Sequence, residues 1–88
     1  MKSNQEVIKA FVNGKEAQNR NLRSTGTKLV NYHTTLAQRL DNGMVVFNDT
    51  KYSVSTSKIQ TKARYMIGTY YSVKEHVPID TYDLSRYM

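Results

Sequence analysis

The stretch Thr27 to Phe47, TKLVNYHTTLAQRLDNGMVVF, decides the fold. Val30, Tyr32, Thr34, Leu36, Gln38 and Leu40 alternate along it and predict one face of a single long strand, Thr27 to Leu40. Lys28, Asn31, His33, Thr35 and Arg39 mostly take the other face. Asn42-Gly43 is a strong hairpin signal, because tight hairpin turns need positive φ. Met44-Val45-Val46-Phe47 then reads as the returning strand. Two registers are open: a two-residue turn pairs Leu40 with Val45, and a three-residue loop pairs Leu40 with Met44.

Helical patterns flank this hairpin. Ser3-Asn4-Gln5-Glu6 matches a capping box, in which Ser and Glu side chains satisfy each other's backbone amides. Val7, Ile8, Phe11 and Val12 follow at helical spacing, and Asn13-Gly14 is a stop. Lys15 to Gly26 is polar and aperiodic, with Ala17 and Leu22 as anchors and Ser24-Thr25-Gly26 as a turn. After the hairpin, Lys51 to Val54 extends the returning strand or forms a third short one. Ser57-Lys58-Ile59-Gln60 matches a second capping box. Ile59, Ala63, Met66, Ile67 and Tyr70 then line one helix face, which Gly68 weakens near its end. Val77 to Met88 holds the one proline, Pro78, with Ile79, Tyr82, Leu84 and Tyr87, and reads as an extended but apolar tail. The expected fold is α+β: a short N-terminal helix, an antiparallel hairpin or small sheet, and a second helix. Both helices would cover one sheet face and leave the other to solvent or a partner.

Eighty-eight residues predict one domain, and a chain this short buries only roughly 60% of its unfolded surface. No cysteine is present, which excludes disulfides, thiol catalysis and thiolate-bound zinc. His33 and His76 are isolated, and no phosphate-binding glycine loop occurs. The expectation is a non-enzymatic protein with no metal or cofactor. The segment Met1 to Gly14 lacks the apolar run of a signal peptide, and no stretch approaches a membrane span. A cytosolic protein without membrane association is therefore expected. The formal charge of +6 favours anionic partners.

Two strings are distinctive. One is Asn21-Leu22-Arg23-Ser24-Thr25-Gly26 with Leu29, Tyr32 and Leu36-Ala37-Gln38. The other is Asn48-x-Thr50-Lys51-Tyr52-Ser53-x-Ser55-Thr56-Ser57-Lys58-x-Gln60. Together they resemble a group of small proteins carried by bacteriophages and plasmids of Gram-positive bacteria, over roughly Phe11 to Gln60. The resemblance implies a mobile-element setting, where small basic proteins often bind DNA or disable host machinery. Members of that group often have His between the Lys and Gln of the second string. Here Ile59 takes that position, so a mechanism needing an imidazole there does not carry over.

Thr50 to Tyr65 contains Lys51, Lys58, Lys62 and Arg64, and no acid occurs from Thr50 to Ser72. Lys58 and Lys62 are four apart, with Tyr65 three further along the same stripe. Lysines ending in an aromatic suit a nucleic-acid backbone with one stacked base. Lys51 and Tyr52 extend the patch, and the hydroxyls of Ser55 and Thr56 suit phosphates as well as helix capping. The candidate nucleic-acid site is thus Lys51, Tyr52, Ser55, Thr56, Lys58, Lys62, Arg64 and Tyr65. The plainer account of the same residues is a solvated helix face. The seven tyrosines suit a small core or an interface, so an inhibitor or adaptor that binds a host protein is the alternative. A self-associating homodimer is the third.

Overall fold

The computed structural model describes residues 2–87. Its elements are α1 (Asn4–Val12), β1 (Glu16–Gln18), β2 (Leu22–Thr25), β3 (Lys28–Asn31), β4 (Thr34–Arg39), β5 (Val45–Asn48), α2 (Val54–Ile67) and β6 (Tyr71–Val73), then a 3-10 turn at Ser85–Tyr87. The six strands form one sheet in chain order, β1-β2-β3-β4-β5-β6. Every neighbouring pair is antiparallel except β5 and β6, which run parallel with α2 as the crossover between them. The α+β class expected from the sequence is what forms, with a larger sheet.

The first helix starts as its sequence dictates. Ser3 Oγ accepts from the Glu6 amide at 3.2 Å and the Glu6 carboxylate accepts from the Ser3 amide at 3.0 Å, closing the capping box. The Ser3 amide first, and then the Ser3 hydroxyl, hold the Glu6 carboxyl below its ordinary value. Val7, Ile8 and Phe11 are fully buried against Leu22, Leu29, Leu36, Phe47, Ile59 and Ala63. This is the core between both helices and one sheet face.

Lys15 to Gly26 is not a plain loop: it contains β1 and β2. Both strands are short and mostly polar, so backbone pairing rather than an apolar alternation defines them. Gly26, at φ +97°, closes this segment; a Cβ there would meet the Gly14 carbonyl oxygen at 3.2 Å, and such a backbone conformation suits glycine.

The long strand expected over Thr27–Leu40 is two strands. Tyr32 and His33 form a two-residue turn, and Asn31 pairs with Thr34. Tyr32 alone of that turn has positive φ (57°), as a type II′ turn requires of its first central residue. The face alternation also breaks. Leu29 pairs with Ala37 but Val30 with Thr35, so Leu36 is an extra residue in β4, a bulge that shifts every later side chain to the opposite face. Leu36 and Ala37 therefore both enter the helix-side core, while Gln38 and Leu40 turn to the other side. At the next hairpin the three-residue loop is the one that forms. The Leu40 amide donates to Met44 O at 2.8 Å, with Gly43 at φ +86°.

The second sheet face is not left open to solvent. Val46, on the opposite side of β5 from Val45 and Phe47, packs with Val73, Val77, Leu84, Tyr87 and Leu40. The tail is thus folded over the domain's own sheet. Gln38 fastens it at two points: its Nε2 donates to Asp83 at 3.0 Å and its Oε1 accepts from the Leu84 amide at 2.7 Å.

Lys51 to Val54 is not a strand. It leads irregularly into α2, whose N-cap is Ser53 rather than Ser57. Ser53 Oγ accepts from the Thr56 amide at 3.2 Å, so the helix begins one turn earlier than the sequence pattern suggests. Among the described residues, no helix is long and apolar enough to cross a membrane.

Candidate nucleic-acid interface

At about 100° per residue, the apolar positions of α2 point into the core and leave the opposite half of the helix outside. Thr56, Ile59, Gln60 and Ala63 are the buried set. Ser55, Lys58, Lys62 and Tyr65 fall within about 80° of arc on the outer face. All four are exposed, and Tyr65 stands 89% open to solvent. Neither lysine forms an ion pair among the described residues.

Shallow grooves lie on both flanks of this stripe and share Lys58. One, of about 330 Å³, brings Asn4 of α1 and Asn21 of the β1–β2 turn beside Ser55, Lys58 and Lys62. The other, of about 580 Å³, lies between the helix and the segment entering it, lined by Lys51, Tyr52, Val54, Ser57, Lys58 and Thr61. The sequence gives no local signal for Asn4, which arrives through the packing of α1 against α2.

No family model, curated protein or solved structure matches this chain.

The remaining members of the sequence-predicted set are placed differently. Arg64 lies about 160° around the helix from Lys62, on the side facing β6, where its guanidinium pairs with Asp49 and reaches Thr61 Oγ1 at 3.3 Å. Thr56 is buried; its hydroxyl donates to Asn31 Oδ1 at 2.9 Å and accepts from Ser53 Oγ at 3.1 Å. Tyr52 is half-buried, with its hydroxyl accepting from Asn48 Nδ2 at 2.9 Å and donating to Val77 O. Burial pushes the Tyr52 phenol above its ordinary value of 10.0, against the opposing hydrogen bonds of Asn48 and Thr50. It stays protonated and can keep donating to the tail.

The distinctive second string thus divides by direction. Its inward residues form a polar latch. Gln60 Nε2 donates to Asn48 O at 2.7 Å and Thr50 O at 3.0 Å. Asn48 Nδ2 reaches Thr35 O at 3.1 Å, and Thr50 Oγ1 accepts from the Val77 amide at 2.8 Å. These bonds join α2, β4, β5 and the tail. Lys51, Ser55 and Lys58 point outward, where the string meets solvent. Chemically, the outward face offers exposed cations, a hydroxyl and an unburied ring. Among the described residues no cluster of His, Asp or Glu has the composition of a metal site.

Proposed function

We propose that this protein binds nucleic acid through the outer face of α2, mainly by contacts between lysines and phosphates. The observation that carries the reading is the stripe itself: Lys58, Lys62 and Tyr65 share one exposed helix face in a segment free of carboxylates from Thr50 to Lys74. Lys51 stands at its entrance, and Ser55 lies beside the lysines for a further phosphate hydrogen bond. Tyr65 has no packing role that would explain a ring so open to solvent, and an exposed aromatic is a stacking surface for any base. Binding of this kind depends steeply on salt and weakly on sequence. It suits the mobile-element setting that the two strings resemble.

The test is anisotropy of labelled single- and double-stranded DNA and RNA, titrated with protein at several salt concentrations. Three lysine contacts to a single strand predict that Kd rises about 40-fold between 50 and 300 mM monovalent salt. Equal affinity at both concentrations overturns the proposal.

A further inference from the structure

We infer that Tyr32, at the tip of the β3–β4 hairpin, is a second base-stacking residue of this surface, and that its ligand is an unpaired strand. The inference rests on the proposed nucleic-acid reading and deepens it.

Tyr32 is placed at a conformational cost. Its φ of 57° lies in the left-handed region, where a bulky side chain is an outlier and glycine or asparagine is favoured. Packing does not repay this, because the ring is 67% exposed. Backbone strain carrying an exposed functional group is a pattern of binding sites. The Tyr32 hydroxyl donates to Asn21 Oδ1 at 3.1 Å, which orients the ring rather than burying it. Asn21 also lines the groove with Ser55, Lys58 and Lys62.

A chain of hydrogen bonds fixes the hairpin tip against α2. Asn21 O accepts from the Tyr32 amide at 3.1 Å and from Asn31 Nδ2 at 2.9 Å. Asn31 Oδ1 in turn accepts from Thr56 Oγ1 in the first turn of α2. Tyr32 is therefore tied to the first turn of α2 while Tyr65 stands toward its far end, Thr56 and Tyr65 being about 14 Å apart along the helix axis at 1.5 Å per residue. Rings at both ends of a row of cations suit a strand whose bases are free to stack, while a duplex hides its base faces. A short stretch of single strand, with phosphates on Lys58 and Lys62, spans that distance.

The experiment replaces Tyr32 by Asn, by Gly and by Phe in the full chain. Each variant is assayed for thermal unfolding and for binding to a labelled single-stranded oligonucleotide and its duplex across salt. Asn and Gly fit the left-handed backbone, so both variants should melt no lower than the native protein. Their affinity for single strands should fall about tenfold, with the salt slope unchanged because no charge is lost. Duplex affinity should not move, and Tyr32→Phe should retain single-strand binding. Native single-strand affinity in both Tyr32→Asn and Tyr32→Gly overturns the assignment of Tyr32 and leaves the lysine stripe standing. Salt-independent or absent binding by the native protein overturns the underlying reading and this inference with it.

Discussion

Replacing Gln60 by Leu should destabilise the fold by about 2–3 kcal/mol without touching the outer face of α2. Gln60 is 2% exposed, and its side-chain amide donates to both Asn48 O and Thr50 O. Leucine has similar volume, so little cavity forms and the loss is mainly polar. Asn48 is fully buried, and a buried acceptor stripped of its donor costs about 1–3 kcal/mol. Thr50 is only half-buried, so its carbonyl regains water and costs about 0.5–1 kcal/mol. For a domain of this size the sum lowers Tm by roughly 10–20 °C. Urea unfolding followed by circular dichroism gives the free energy directly. A loss below about 0.5 kcal/mol, the range of an ordinary surface substitution, would refute the claim that Gln60 latches α2 to the sheet.

Three further outcomes follow from the same geometry. Ser53→Ala should cost about 1 kcal/mol as a lost N-cap, whereas Ser57→Ala should stay within about 0.5 kcal/mol; chemical denaturation of both separates the two helix starts. Arg64→Gln should leave nucleic-acid affinity nearly unchanged in anisotropy, because its charge already faces Asp49, and the loss of that partly exposed pair should cost no more than about 1 kcal/mol. Asp83 is held below its ordinary value of 3.8, first by the Ser85 amide and then by the Gln38 and Ser85 side chains. A depressed carboxylate contributes stability that is fully present above its unfolded value and is lost as pH falls through the folded one. Hydrogen exchange at the Leu84 amide should therefore accelerate as pH is lowered past that value, relative to the intrinsic rate, and Asp83→Asn should flatten this dependence.

Local signals were legible where the partners lie nearby in the chain. The Ser3–Glu6 capping box closes within four residues, and the apolar face of α1 needs only helical spacing. The Asp41-Asn42-Gly43 turn was equally readable, although choosing its register required the Leu40–Met44 pairing. Strands β1, β2 and β6 were not readable, because each is three or four residues long and is defined by pairing rather than by pattern. The Leu36 bulge is likewise invisible in a pattern that continues to alternate across it. For α2, Ser53 and Ser57 both precede helix-compatible residues. Gln60 decides between them: it turns into the sheet, so it cannot serve as the return partner in a box begun by Ser57.

The candidate site shows the same division. Lys58, Lys62 and Tyr65 needed only a three-and-four spacing, so their shared face could be read directly. Thr56, Tyr52 and Arg64 looked equivalent to them in the chain. Their partners Asn31 and Val77 lie 25 residues away, and Asp49 lies 15 away. Tyr32 belongs to a motif already singled out, yet its meaning came from a backbone angle that no sequence pattern displays.

The most direct test of the central claim compares two double variants of equal charge. Lys58→Gln with Lys62→Gln removes two charges from the stripe. Lys15→Gln with Lys74→Gln removes two exposed charges that line neither groove beside it. Single-strand affinity is measured against salt for both. The account predicts that the stripe variant loses most binding and that its log–log salt slope becomes shallower by about 1.4, while the control variant stays close to native. Equal losses in the two variants would contradict it, and would mean that net charge rather than the α2 face attracts the ligand.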